Sequence, residues 1–233
     1  MRRAAFTLVE LLVVITIIIV LAALSVGTLV RIRDQAFKAT SIRNISQLQI
    51  ANASYAADHS GNYVPIYAYD DQGVRIGFWY QNTKFLSNLA GDIRDASGDP
   101  ARSAPVSMLD PKVYRGKKAF HQSMAASYGM NDNGIAGAHG PGVAPSHHVN
   151  RVPNPSESMA FATSTDYRVT YNSRFNWKGV DGKTSDGGIA YRYGDKALVV
   201  YFDGHVSEVT KGEMKNIDTQ GGKNSSFWNP KTN

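Results

Sequence analysis

Residues 6–30 read FTLVELLVVITIIIVLAALSVGTLV, and from Leu11 to Val30 the chain runs for twenty residues without a charge. At a helical rise of about 1.5 Å per residue, that length matches the roughly 30 Å hydrocarbon core of a bilayer. A buried helix of a soluble domain would carry a polar face, whereas here only Thr16, Ser25 and Thr28 interrupt the apolar run. A membrane helix is therefore expected. Arg2 and Arg3 in front of it, and the small residues Ala22, Ala23 and Ser25 within it, also fit a cleaved secretory signal. Glu10 separates the two readings. A carboxylate at a helix centre costs about 2.5–3.5 kcal/mol on insertion scales, less near an end, and a plain signal peptide has no use for one.

Working outward, no proline occurs after residue 30 until Pro65, and the intervening stretch is rich in Ala, Gln, Ile and Leu. The helix is expected to continue to about Asp58, spanning roughly 80 Å. Gly27 is a soft point within it. Ile42, Ile45, Leu48 and Tyr55 form a narrow apolar stripe, with a gap at Asn52, that seats the second half on a head domain. The stop is Asp58-His59-Ser60-Gly61-Asn62, with Gly61 suited to a left-handed cap.

From Tyr63 to about Pro155 the chain is rich in Gly, Pro, Asn and Asp. A strand over Phe78–Tyr80, a short helix over Thr83–Leu89 and a loop over Gly134–Pro145 are expected there. The C-terminal part is clearer. Ser158–Thr163, Gly188–Tyr193, Lys196–Phe202 and His205–Thr210 read as strands, the last three in an antiparallel meander. Its two-residue links are Gly194-Asp195 and Asp203-Gly204, the latter a type I′ signal with positive φ at both residues.

With 233 residues, one head domain and an appendage are expected. Absence of cysteine excludes disulfides, thiolate metal sites and a Cys nucleophile. The formal charge is +6, but its cations are scattered, so nucleic acid is not an expected partner. No His-Glu-x-x-His or Gly-x-Ser-x-Gly pattern occurs. Gly182-Lys183-Thr184 ends like a phosphate loop, but Trp177 stands at the first glycine position and no strand leads in. His139, His147 and His148 fall in a Gly/Pro-rich stretch and are expected to be solvent-exposed. No catalytic residue and no cofactor emerges, and the chain does not read as an enzyme.

The segment Ala5-Phe6-Thr7-Leu8-Val9-Glu10-Leu11-Leu12-Val13-Val14-Ile15 closely resembles the cleavage and methylation motif of type IV prepilins and type II secretion pseudopilins. That resemblance implies an α+β, pilin-like fold, a helical spine packed on a small antiparallel β-sheet head. It implies a cytoplasmic leader over residues 1–5, a transmembrane helix over 6–30, its amphipathic continuation over 31–58 and a head over 59–233. A prepilin peptidase would cut between Ala5 and Phe6, the new Phe6 amine would be methylated, and Glu10 would be the assembly acid. Its carboxylate and that amine lie four residues apart, on one helix face, and the pair can form within a subunit or between staggered ones.

The partners implied are the peptidase, the membrane, and other copies or other pseudopilins in a helical filament. The location implied is the inner membrane, single-pass, with the head in the periplasm or outside the cell. Ala5 departs from the family's usual Gly before the cut. Arg31, Arg33, Lys38 and Arg43 beyond the span run against the positive-inside rule.

A second resemblance lies in the C-terminal half. Tyr193 to Gly204 is similar to a "His, nine residues, Asp-Gly" signature of prepilin-like proteins, with Tyr193 at the His position. Ser127-Tyr128-Gly129-Met130-Asn131 and Asn154-Pro155-Ser156-Glu157-Ser158 match the same pattern, and the Asp203-Gly204 turn is expected to be structural. Major pseudopilins hold C-terminal loops with calcium, and the resemblance makes Asp181, Asp186 and Asp195 the candidate ligands, although their spacing is not that of an EF-hand. The reading is a filament subunit. Its alternative is a surface- or carbohydrate-binding module on a pilin-type anchor.

Overall fold

The computed structural model describes residues 7–69, 72, 74–90, 104–114, 124–134, 146–179 and 187–230. Compact units are Met1–Ala39 and Thr40–Asn233. The fold is α+β, with one long N-terminal helix and a small five-stranded sheet.

Helix α1 runs Leu8–Asp58 without interruption, through Gly27, as one element. Within the first unit its Leu, Ile and Val side chains from Leu8 to Ile32 are exposed wherever described, the surface expected of a segment whose solvent is lipid. Thr16 and Thr28 return their hydroxyls to the carbonyls of Leu12 (2.8 Å) and Leu24 (3.2 Å), so neither brings an unpaired donor into that surface.

Within the second unit, the helix buries Ser41, Asn44, Ile45, Leu48, Gln49, Ala51, Asn52, Tyr55 and Ala56, the three-and-four spacing of one face. Ile42 is only partly buried, and the stripe is more polar than expected. Each polar member is bonded. Ser41 shares a hydrogen bond with Tyr128 Oη (2.9 Å), and Asn44 donates to the carbonyls of Ser107 and Leu109. Gln49 donates to the Phe202 carbonyl (2.8 Å), and Asn52 Oδ1 accepts from the Val64 N–H (2.9 Å). The helix ends where Ser60 and Gly61 both take positive φ and the Gly61 N–H reaches back to Ala56 (2.8 Å), so the left-handed cap involves Ser60 as well as Gly61.

A hairpin of β1 (Tyr67–Tyr69) and β2 (Arg75–Phe78) follows. The strand expected at Phe78–Tyr80 ends at Phe78. Trp79–Gln81 is a 3-10 turn that drops Trp79 into the core, where its indole donates to the Tyr167 carbonyl (2.6 Å). Helix α2 (Thr83–Ala90) matches its expectation; α3 (Pro111–Tyr114) and α4 (Met124–Ser127) are single turns. The main sheet comprises β3 (Tyr128–Asn131), β4 (Met159–Thr163), β5 (Arg168–Val169), β6 (Lys196–Tyr201) and β7 (Val206–Thr210), in the order β5-β3-β4-β6-β7. It is mixed, since β3 and β5 pair in parallel. Helix α5 (Lys211–Thr219) starts on a capping box in which Thr210 and Glu213 bond reciprocally.

Both faces of this sheet are buried. Phe161, Val200 and Phe202 join the core containing Ile45, Leu48 and Trp79. Met159, Ala162 and Val199 join a second core with Ile189, Met214 and Trp228. Met159 and Phe161 share a parity yet lie in different cores, because the β4–β6 register shifts between them; a bulge moves the side chains that follow to the other face.

Two expectations about the meander are corrected. Gly188–Tyr193 is not a strand: both edges of β6 are occupied, by β4 and β7, so no ladder is open to it. It instead crosses the end of β4, bridging Ser164 through Ile189. Gly194-Asp195 is nevertheless the tight link expected, with positive φ at both residues and mutual Tyr193–Lys196 bonds. Asp203-Gly204 is not a two-residue link. Tyr201 N–H donates to His205 O and Gly204 N–H to Tyr201 O, so Phe202, Asp203 and Gly204 form the loop, and only Gly204 (φ 94°) is left-handed.

A Cβ added at Gly204 would meet no atom within 4 Å, so any cost of substitution there is backbone strain and not collision. Gly204→Val is expected to destabilise the protein by about 1–3 kcal/mol. Thermal melts of the full chain in detergent, followed by tryptophan fluorescence, measure it; an unchanged midpoint would refute the loop assignment.

Candidate functional site

The N-terminal site is built on the first turn of α1. Ala5 and Phe6 lie outside the described residues. Thr7 caps the helix: its Oγ1 accepts from the Glu10 N–H (3.3 Å), while Glu10 Oε2 accepts from both the Thr7 N–H (2.9 Å) and the Thr7 hydroxyl (2.8 Å). This is a reciprocal capping box, and it gives the carboxylate at the edge of the apolar run a partner inside its own chain. The Thr-x-x-Glu spacing was a legible signal for it, identical to Thr210-x-x-Glu213 at α5. Glu10 is exposed, as are the apolar residues beside it.

A second cluster surrounds Tyr193, the residue at the signature's His position. Its hydroxyl donates to Asp110 Oδ1 (2.7 Å), and Asp110 Oδ2 faces Arg192 Nη1 (3.3 Å), with both charged side chains essentially fully buried. The remaining valences are met by backbone. Arg192 donates to the carbonyls of Ser127 (3.2 Å), Ala126 (2.8 Å) and Ser164 (2.7 Å), and Asp110 Oδ1 also accepts from the Lys112 N–H (2.9 Å). Burial, and then the Asp110 charge beside it, hold the Tyr193 hydroxyl well above the ordinary phenol range, so it remains a donor. The arrangement ties four segments of the chain together and has the character of a structural node. Sequence reasoning missed Asp110 and Arg192, which are 82 residues apart.

The other sequence candidates separate. Asp203 and Gly204 sit at the β6–β7 loop, where Asp203 Oδ1 accepts from the His205 N–H (3.1 Å) and contacts His205 Nδ1 (2.6 Å). Asp195 lies exposed in its turn, while Asp181 and Asp186 fall outside the described residues. Among the described residues, no group of three or more His, Asp or Glu side chains is placed to hold a metal ion. His139 also lies outside them. His147, expected to be exposed, is buried edge-on against Phe202 at 5.3 Å, because the chain there closes over the end of α1. His148, also expected to be exposed, is half-buried; its Nδ1 accepts from the Asn150 N–H, so Nε2 donates to the Ser60 carbonyl (3.1 Å) at the helix cap.

Comparison with known proteins bears on the first of these clusters. Residues 1–26 match the family model for the prokaryotic N-terminal methylation motif, the signature of type IV pilins and pseudopilins. No curated protein and no solved structure matches the chain significantly. The chain thus carries a pilin-type N-terminus, with Glu10 inside the matched segment, on an α+β architecture of long helix and small sheet.

Arg192→Met would leave Asp110 charged, buried and short of its counter-ion, and is expected to cost about 3–5 kcal/mol. Replacing both partners, Asp110→Leu with Arg192→Met, is expected to cost less than the sum of the two single changes. Urea titrations of the full chain in detergent test both statements; additive losses would show that the pair is not coupled.

Proposed function

We propose that the chain is a structural subunit of a type II secretion or type IV pilus-like filament. It is made with residues 1–5 as a cytoplasmic leader, cut between Ala5 and Phe6 by a prepilin peptidase and methylated on the Phe6 amine. Residues 6–30 hold it in the inner membrane as a single pass, residues 31–58 continue the helix, and the head over 59–233 lies in the periplasm or outside the cell. Its partners are copies of itself or other pseudopilins, and its role is mechanical, without a catalytic step.

The observation that carries this reading is Glu10, an exposed carboxylate in the first turn of a helix whose following residues are apolar on every side. Within one chain the Thr7 capping box satisfies it. Once the leader is removed, the chain begins with an ammonium at Phe6, four residues before Glu10 in sequence. In a bundle of such helices, the low dielectric makes an unpaired ammonium costly and a paired one directional, so Glu10 of one subunit can hold the amine of the next in register.

Two measurements follow. Mass spectrometry of the membrane-purified protein is expected to find an N-terminus at Phe6 carrying one methyl group; a terminus at Ser25 or Val26 would mean ordinary signal-peptidase cleavage and would end the pilin reading. Glu10→Ala is expected to be cut and inserted normally but to lose subunit cross-linking in membranes, since breaking a buried pair from one side costs about 3–5 kcal/mol. Normal cross-linking alongside normal processing would leave the anchored binding module as the better account.

A further inference from the structure

On the sheet's far end, an open cleft of about 420 Å³ lies between the loop before β4, the β6–β7 loop and the chain that follows α5. One wall is aromatic. Tyr201 and His205 stack at 4.2 Å with their planes 8° apart, and Phe227 meets Tyr201 edge-on at 6.0 Å. The His205 side chain remains 47% exposed. The opposite wall is polar. Glu157 Oε2 accepts from Ser226 Oγ (2.8 Å), which orients the carboxylate and leaves Oε1 as an acceptor, and Gln220 adds an amide.

The remaining polar groups are also set by bonds behind them. Ser207 Oγ donates to Tyr201 Oη (3.2 Å), so the tyrosine keeps its own proton to offer. Burial raises the Tyr201 hydroxyl above its usual range and keeps that proton in place. The contact of His205 Nδ1 with Asp203 Oδ1 (2.6 Å) fixes the orientation of the imidazole on Tyr201. The walls are laced by backbone bonds from Phe202 N–H to Ser158 O (3.0 Å), Asp203 N–H to Pro155 O (3.2 Å) and Met159 N–H to Phe227 O (3.1 Å). These join the Asn154–Ser158 segment to the Asp203-Gly204 loop, so two segments distant in sequence meet at one site that is formed before any ligand arrives.

The chemistry of the cleft is selective. Among the described residues no Lys or Arg lines it, while Glu157 is on its wall and Asp203 adjoins it, so in a chain of net charge +6 these side chains make a locally negative place that disfavours phosphates, uronates and nucleic acid. A wholly apolar ligand would strip water from Glu157, Gln220 and the serines without replacing its hydrogen bonds. A sugar meets both walls: its C–H face lies on an aromatic ring, and its hydroxyls donate to a carboxylate and accept from a phenol. The volume falls in the ordinary range of small-ligand pockets. We infer that this cleft binds one or two units of an uncharged glycan, with Glu157 and Tyr201 fixing the hydroxyls and the Tyr201–His205 stack supporting the ring. The site stands independently of filament assembly, which this cleft's geometry does not enter.

The test uses the full chain in a detergent without a sugar headgroup. Maltose, cellobiose, lactose and diacetylchitobiose are titrated by calorimetry, with saturation-transfer NMR to identify the bound face. At least one disaccharide is expected to bind saturably. Glu157→Gln and Tyr201→Phe are each expected to raise its Kd about tenfold or more without shifting the melting midpoint, whereas Tyr80→Phe, at a residue that does not line the cleft, leaves it unchanged. Failure of all four sugars to bind overturns the assignment. So does binding that neither variant weakens, or tighter binding of glucuronate or choline than of any neutral sugar. Membrane cross-linking of the same variants reports separately on the filament reading, so either can fail alone.

Discussion

The second half of α1 must bury a face on which four polar side chains sit among the apolar ones, and the head is arranged to meet that demand. Ser41, Asn44, Gln49 and Asn52 would each cost on the order of 1–3 kcal/mol if left unsatisfied in the core. Their partners come from far along the chain: Tyr128, the carbonyls of Ser107, Leu109 and Phe202, and the Val64 N–H. Apolar packing by Ile45, Leu48 and Tyr55 supplies attraction without direction, whereas these bonds tolerate one rotation and one register of the helix on the sheet. The same bonds settle where the loop around Ser107 and the end of β6 must lie.

The end of β6 shows how a fold requirement can also shape a surface. Phe202 has to reach the core shared with α1 and present its carbonyl to Gln49, which lengthens the loop by one residue beyond a tight hairpin. Left-handed Gly204 absorbs the extra residue. Asp203 is thereby turned outward beside His205, and His205 lies flat on Tyr201. Inside, the loop is packing; outside, it is one wall of a cleft.

The first half of α1 presents a different surface, apolar over a length that could cross a membrane. Thr16 and Thr28 bond back to the helix's own carbonyls, its described apolar residues are exposed, and its carboxylate is held by the capping threonine. These polar groups are satisfied locally, as suits a segment long and apolar enough to cross a membrane. In the head the polar groups are satisfied over long range, through Asp110, Arg192 and Tyr193 among others. A buried ion pair of that kind adds little net stability over an apolar substitute, but it penalises any misplacement of the loops that carry it.

What the sequence by itself determined is whatever depends on neighbours three or four residues apart: the long helix and its stop, the membrane-length apolar run, the Thr-x-x-Glu caps, the short helix α2 and the tight Gly194-Asp195 link. These follow from period, caps and turn chemistry, which act within a few residues of chain. Only the tertiary structure decided the rest. Gly188–Tyr193 has the composition of a strand but finds no vacant edge on β6, the strand it was expected to pair with, and the parallel β3–β5 pairing has no local signature. The Asp203-Gly204 loop follows the needs of Phe202 over the preference of its own dipeptide. Asp110 meets Arg192, and Glu157 meets Ser226, across separations of 82 and 69 residues, where only the packing of the whole head brings one side chain to another.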